Sequence, residues 1–248
     1  AKKQPSDDAD EEQESKDEEG ENPKRPLKLA IIGQPNAGKS TLVNAMLGEE
    51  RMLTGPEAGI TRDAIVNDWS WKGREIKLWD TAGIRRKSRV QAKVEKLSVA
   101  DALRAIRFAE CVVVLIDATL PIERQDLTLC DLVAREGRAV VLALSKWDAV
   151  EDKAGTLREV NSKMEDVLPE IRGVPVVTLS AMQGRGIDKL MKAVFDADRR
   201  WNIRITTSKL NRWLEGALER NAPPAPSGRR IKIRYATQAN ARPPTFAI

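Results

Sequence analysis

The chain of 248 residues contains no histidine and only two cysteines, Cys111 and Cys130. Without histidine, it can form neither a Ser-His-Asp nor a Cys-His catalytic arrangement, and every His-ligated metal site is excluded. Two cysteines make no disulfide framework. Cys111 opens an apolar run and reads as a small core hydrophobe, which suits a reduced, cytoplasmic compartment. No apolar run reaches the roughly 18–20 residues of a membrane-spanning helix, so no membrane partner is expected. The N-terminus has no apolar signal-peptide core, and the lack of an initiator methionine implies a fragment or a processed chain. Chemistry in this chain therefore falls to carboxylates, lysine, arginine, hydroxyls, backbone amides or a bound ion.

What is present is a core and a charge split. Apolar residues make up 41% of the chain, enough to bury the interior of one large domain with a small one attached. The net charge of +5 conceals ten acidic and three basic residues within 1–22, against nine basic and two acidic within 201–248. Such a basic concentration fits an anionic partner such as RNA, although a solvated surface also produces it. Residues 1–26 lack hydrophobic periodicity and read as a disordered acidic linker. From Leu27 onward, short apolar runs alternate with helical stretches. Strands are expected at 27–32, 74–79, 111–116, 138–144 and 175–179, with a weaker sixth at 64–71. Helices are expected at 39–47, 94–108, 124–136, 156–167 and 187–199. This alternation predicts an α/β domain over 27–200, a mostly parallel six-stranded sheet covered on both faces, with ligands at the C-terminal strand ends. After Trp201 the pattern changes to a hydroxyl-capped amphipathic helix over 207–220, a proline-rich loop over 221–228, a strand-like alternation over 230–236 and a further apolar run from Pro243.

Gly33-Gln34-Pro35-Asn36-Ala37-Gly38-Lys39-Ser40 fits G-x-x-x-x-G-K-[ST] in full. It lies between an expected strand and an expected helix, the context of a P-loop. Gly33, Ala37 and Gly38 allow backbone N–H groups to curl round a phosphate at a helix N-terminus. Lys39 is expected to reach the β- and γ-phosphates, and Ser40 to ligate Mg²⁺, with Thr41 beside it in the nucleotide-binding set. Asp80-Thr81-Ala82-Gly83 follows the expected strand 74–79: Asp80 can hold a Mg²⁺-bound water, and Gly83 lets a backbone N–H approach the γ-phosphate. Thr61 lies between the two motifs, where its hydroxyl can reach Mg²⁺ when a γ-phosphate is present and so switch its loop between order and disorder. Ser145-Lys146-Trp147-Asp148 follows another strand. The Asp148 carboxylate can accept both N1–H and N2–H₂ of guanine, while the Lys146 stem lies over the purine. In Ser180-Ala181-Met182, a backbone N–H is positioned for guanine O6. Each base-reading tetrapeptide is weak alone, but in this order and at these strand ends they make a guanine pocket.

These motifs, with Gly59–Asp63, Asp80–Lys87 and the tail residues Tyr235-Ala236-Thr237-Gln238 and Arg242-Pro243-Pro244-Thr245-Phe246, resemble the second GTPase domain and the KH-like domain of the EngA/Der family of double-GTPase ribosome-assembly factors. The resemblance covers residues 24–248. It implies a GTP-binding and GTP-hydrolysing switch that acts on ribosomal RNA in maturation of the large ribosomal subunit. It also implies an acidic linker to an N-terminal GTPase domain absent from this chain, and an incomplete KH-like domain over 201–248. Two residues depart from the family pattern: Ser145 stands where Asn is usual, and Ile60 where Thr is usual. Ile84 occupies the position at which many small GTPases use a water-orienting glutamine. The resemblance makes Asn36 a potassium ligand, K⁺ replacing an arginine finger; the lesser alternative is a turn residue that stabilises the loop. The catalytic set expected is thus Lys39, Asn36, Thr61 and Gly83. A nucleotide-gated RNA- or ribosome-binding module with negligible turnover, and a potassium-dependent GTPase of the tRNA-modification type, remain as alternatives.

Overall fold

The structure is a computed structural model that describes residues 25–49, 65–80, 99–122, 124–167, 173–223, 232–241 and 244–248. The acidic segment 1–24 and the segments holding Ile60, Thr61, Gly83 and Ile84 lie outside these residues. The chain divides into two compact units, at Asp198 and Arg199.

The larger unit runs β1 (Leu27–Gly33), α1 (Lys39–Glu49), β2 (Ile65–Trp71), β3 (Arg74–Asp80), α2 (Val99–Phe108), β4 (Cys111–Asp117), α3 (Arg124–Arg135), β5 (Ala139–Ser145), α4 (Lys153–Val167), β6 (Val176–Thr178) and α5 (Ile187–Asn202), the last helix ending in the second unit. The strands form one sheet of order β2-β3-β1-β4-β5-β6. Only β2–β3 is antiparallel, a hairpin turned at Lys72 and Gly73, which adopt φ of 48° and 84°. The other neighbours are parallel. The six-stranded, mostly parallel α/β sheet expected from the sequence is therefore present. Parallel strands are shielded on both faces, which is why β4 and β5 read as unbroken apolar runs rather than alternations. Every residue of β5 is buried, and so is every residue of β4 up to Ile116. One core cluster joins β1, β4 and β5 to Ile106 of α2, Leu127, Cys130 and Val133 of α3 and Val160 and Met164 of α4. Both cysteines are buried thiols, Cys130 within this cluster; burial pushes Cys111 up strongly and Cys130 up to about 12, so they are inert core residues.

Helix α4 begins three residues earlier than expected, at Lys153. Asp152 satisfies its first turn: its carboxylate accepts from the Gly155 N–H at 2.8 Å and its carbonyl from the Thr156 N–H at 3.0 Å. On the β2–β3 side, α5 is tied to the hairpin by Lys72–Asp188 at 2.8 Å and by the pair Arg74–Asp198, with the Arg74 guanidinium 4.9 Å from the Phe195 ring centre.

The smaller unit holds α6 (Thr207–Arg220), β7 (Thr237–Asn240) and β8 (Thr245–Ala247). Thr206 caps α6 by accepting from the Lys209 N–H, the hydroxyl cap anticipated from the sequence. The strand-like alternation over 230–236 does not form a strand in its described part, 232–236. The strand is instead Thr237–Asn240, paired antiparallel with Thr245–Ala247. The buried positions do not follow the alternation: Tyr235 is exposed, whereas Ile233 and Ala236, three apart, pack in the cluster of Leu210, Leu214 and Leu218 of α6. The hydrogen bonds a neighbouring strand would supply come from one side chain. Asn211 accepts from the Ala236 N–H at 2.8 Å and donates to the Ala236 carbonyl at 3.0 Å, so it pairs that residue as a strand would. Gln238 does the same for the chain before α6, accepting from Ile205 N–H at 2.7 Å and donating to Ile203 O at 3.2 Å. Ala236 is only 1% exposed, so Asn211→Ala strands a buried N–H and a buried carbonyl together. That change should cost this unit about 2–4 kcal/mol of local stability. Faster amide exchange at Ala236, with exchange in β4 and β5 unchanged, is the measurement that checks it.

Candidate functional site

All the candidate residues of the larger unit that fall within the described segments lie at one edge of the sheet, because parallel strands deliver their C-terminal ends to the same side. Gly33 ends β1, Asp80 ends β3, Asp117 ends β4, Ser145 ends β5, and Leu179 and Ser180 follow β6. The register makes neighbours of them: Gly33 pairs with Leu115, Asp117 with Ser145 and Leu144 with Thr178.

The loop between β1 and α1 is shaped by close approach. A Cβ on Gly33 would sit 2.2 Å from the Leu115 carbonyl oxygen, so no other residue fits there. Asn36 and Gly38 take φ of 65° and 92°, which curls the loop; asparagine tolerates that left-handed region better than most side chains. Ala37 is buried, whereas Asn36, Ser40 and Thr41 are exposed at the open side of the loop. Lys39 is 7% exposed, and its ammonium donates to the carbonyls of Gly33 at 2.9 Å and Gln34 at 2.6 Å. A buried cation held by loop carbonyls beside a helix N-terminus forms an anion cradle suited to phosphate. Among the described residues no group of three or more acidic or cysteine side chains can hold a metal. The donor set offered is instead a hydroxyl, Ser40, next to that cradle. This fits Mg²⁺, which keeps several waters and binds through one or two protein oxygens plus substrate phosphates.

Ser145 is the buried link between this loop and the base-reading segment. Its hydroxyl lies 2.6 Å from the Ala37 carbonyl and 3.0 Å from that of Ile116, and its single proton favours the nearer acceptor. Serine, shorter than the asparagine usual in the family, thus still ties the two loops here. Lys146 follows in the left-handed region, φ 54° and ψ 34°, and Trp147–Ala149 forms a single 3₁₀ turn. The Trp147 N–H donates to the Leu179 carbonyl at 3.1 Å, which fastens this turn to the end of β6. There Ser180 and Arg185 exchange both backbone hydrogen bonds, at 2.9 and 3.0 Å, closing the loop that carries Ala181 and Met182. Met182 is 88% exposed. Asp148 is exposed, and Gln183 Nε2 donates to its Oδ2 at 3.4 Å. The Ser180 hydroxyl, buried and without a hydrogen bond of normal geometry, is close enough to Asp148 to lead in holding that carboxyl below its ordinary range, with Asp148's own backbone N–H assisting.

Asp117 was missed by the sequence reading, which ended its strand at Ile116. Its Oδ2 receives the Lys146 ammonium at 2.5 Å, and its Oδ1 accepts from the Thr119 N–H at 3.0 Å and hydroxyl at 2.6 Å. Burial pushes this carboxyl up, but the hydrogen bonds from Lys146 and Thr119 outweigh it and hold the group below its ordinary 3.8. The available signal was an aspartate one residue past an apolar run, at the same strand-end level as Ser145. Thr61 and Gly83 lie outside the described residues, and so does the side chain of Asp80.

Known proteins resemble this chain in sequence and in fold. Residues 28–146 match the family model for 50S ribosome-binding GTPases, and residues 204–248 match that for the C-terminal KH-domain-like region of EngA bacterial GTPase enzymes. A bacterial selenocysteine-specific elongation factor superposes with a TM-score of 0.51 at 18% identity, over 70% of this chain and 28% of that one. Era, solved with MgGDPNP and a segment of 16S ribosomal RNA, does so with a TM-score of 0.50 at 23% identity, over 70% and 57%. At those identities the likeness is one of fold, and that fold, with its loop between β1 and α1, is the P-loop GTPase class. The protein called GTPase Der in Rhizobium leguminosarum bv. trifolii is 60% identical over 224 residues, 90% of this chain and 47% of its own length. The GTPase Der of Brucella melitensis biotype 2 is 58% identical, over 90% and 46%. The chain belongs to the EngA/Der family of GTPases, and it spans about half the length of the curated relatives it matches.

Removing the Ser145 hydroxyl tests the link between loop and strand. Ser145 is 3% exposed and Ala37 1%, so Ser145→Ala leaves the Ala37 carbonyl buried without its donor. The unit should lose about 1–3 kcal/mol in denaturant unfolding of the nucleotide-free protein. A midpoint unchanged from wild type would remove Ser145 as the link.

Proposed function

We propose that residues 27–200 bind GTP and GDP with Mg²⁺ and hydrolyse GTP slowly, as the second switch of a larger cytoplasmic protein that acts in large ribosomal subunit assembly. The observation that carries this reading is the meeting, at one sheet edge, of a phosphate cradle and a carboxylate suited to guanine, joined by the buried Ser145 hydroxyl. Lys39, buried in the loop with its ammonium on the Gly33 and Gln34 carbonyls, binds the β- and γ-phosphates; Ser40, with Asp80 through water and Thr61 when γ-phosphate is present, holds Mg²⁺. When bound, that ion neutralises charge on the phosphates. Asp148 accepts N1–H and N2–H₂ of guanine, which adenine cannot offer. In the segment Ser180-Ala181-Met182 a backbone N–H binds guanine O6; since the Ser180 N–H is taken by the Arg185 carbonyl, that donor is Ala181 or Met182, and Ser145 and Lys146 line the purine side. A backbone N–H at Gly83 meets the γ-phosphate.

The same reading makes residues 1–26 a linker to an N-terminal GTPase domain and residues 201–248 a KH-like region that binds ribosomal RNA through its basic surplus. Its support is the match to the EngA C-terminal model and the nine basic residues against two acidic. A ribosomal partner is supported by the description of the GTPase family model.

Ile84 stands where an amide usually orients water, so the intrinsic turnover should be low, well below about one per second. Asn36, exposed on the left-handed turn of the loop, is the candidate ligand for a K⁺ that replaces an arginine finger at the breaking phosphate bond. A fixed cation acts by preorganised electrostatics, so losing its ligand lowers rate more than nucleotide affinity. At matched ionic strength, phosphate release by wild type should be faster in KCl than in NaCl, and Asn36→Ala should abolish the difference with GDP affinity nearly kept. Equal rates in both salts for both proteins would end the potassium reading; no release in either salt would favour a nucleotide-gated binding module.

A further inference from the structure

The Asp117–Lys146 pair has no assigned part in the reading above, and neither loop capping nor stability accounts for it. A carboxylate offers about four acceptor positions. Asp117 uses Oδ1 alone to cap its own loop, taking the Thr119 N–H at 3.0 Å and hydroxyl at 2.6 Å. That leaves Oδ2, aligned by those bonds, for the Lys146 ammonium at 2.5 Å. The lysine side chain is 43% exposed, and an ion pair so open to water contributes little to stability. Its geometric consequence is larger. Asp117 pairs in register with Ser145, the residue before Lys146, so the lysine bridges sideways from the end of β5 to the end of β4. Its backbone is pinned independently: φ is 54°, and the next N–H, that of Trp147, donates to the Leu179 carbonyl at 3.1 Å. With both ends fixed, the four-carbon stem is held across the sheet edge two residues before Asp148.

We propose that Asp117 is a positioning residue of the purine pocket: by anchoring the Lys146 ammonium at the end of β4, it fixes the lysine stem as the stacking face for the base before the nucleotide arrives. This rests on the guanine-pocket reading and deepens it. An untethered lysine must lose its rotamer freedom when a base binds; the tethered one has lost it already. The partnered ammonium also presents a hydrocarbon face instead of a free charge. Stacking of this kind is indifferent to the purine's C2 substituent, so Asp117 sets affinity for purine nucleotides as a class while Asp148 selects among them.

Asp117→Asn is the informative variant, because the amide oxygen still caps the Thr119 loop while its NH₂ faces the ammonium and cannot hold it. Affinities for GDP and IDP are measured by titration on wild type, Asp117→Asn, Lys146→Ala and the double variant. Asp117→Asn should weaken GDP and IDP by the same factor, about three- to tenfold, and add nothing once Lys146 is alanine. Lys146→Met, which keeps an unbranched stem without a tether, should match Asp117→Asn and bind better than Lys146→Ala; this comparison carries the test if Asp117→Asn does not fold. Undiminished affinity in Asp117→Asn, or an equal loss in the Lys146→Ala background, overturns the positioning role while leaving the guanine pocket intact. Wild-type protein that does not bind GDP overturns the pocket and this inference with it.

Discussion

The constraint on which the site depends is the parallel pairing of β1, β3, β4, β5 and β6. Parallel strands need long crossovers, and those crossovers bring every strand end to one edge. Residues more than a hundred positions apart, such as Ala37 and Ser145, thereby come within hydrogen-bonding distance. Packing on both faces of β4 and β5 fixes this register, since a slip of one residue would flip every side chain to the opposite face, into space shaped for its neighbour. The site is thus a consequence of core packing, and its own polar contacts refine positions that the sheet has already set.

Within that frame, the polar groups divide into those that build the site and those left open at it. Lys39, Ser145 and Ser180 are buried at its base. Asn36, Ser40, Thr41, Asp148 and Met182 are exposed at its mouth. Buried groups need partners, and Lys39 and Ser145 have them in loop carbonyls. The Ser180 hydroxyl, with none of normal geometry, lies instead beside the Asp148 carboxylate. Buried, partnered groups beneath solvated ones are what a preformed binding site would need.

Most of this architecture was legible in the sequence because its signals were local. The P-loop motif states its glycines and its helix start together, and fully buried parallel strands read as apolar runs. The failures share a physical cause. Over 230–236 the residues that pack on α6 are Ile233 and Ala236, while Tyr235 of the alternating set is exposed, and Asn211 supplies the backbone's partner; a period of two in the sequence cannot say which side chains a helix will cover or whether a strand or a side chain takes the hydrogen bonds. Asp117 went unnoticed because its role depends on a lysine 29 positions away, brought near only by register. The start of α4 was placed late because Asp152, an acidic residue among other charged ones, gave no apolar cue.

The role proposed for the open carboxylate of Asp148, in the turn just past β5, is to read guanine. Titration of GDP, XDP and ADP into wild type and Asp148→Asn tests it most directly. The exchange of an acceptor for a donor should weaken GDP by about 10- to 100-fold, strengthen XDP, whose C2 carbonyl can accept, and leave ADP poor for both proteins. Equal GDP affinity in the two proteins, or ADP binding as tight as GDP in wild type, would contradict the claim.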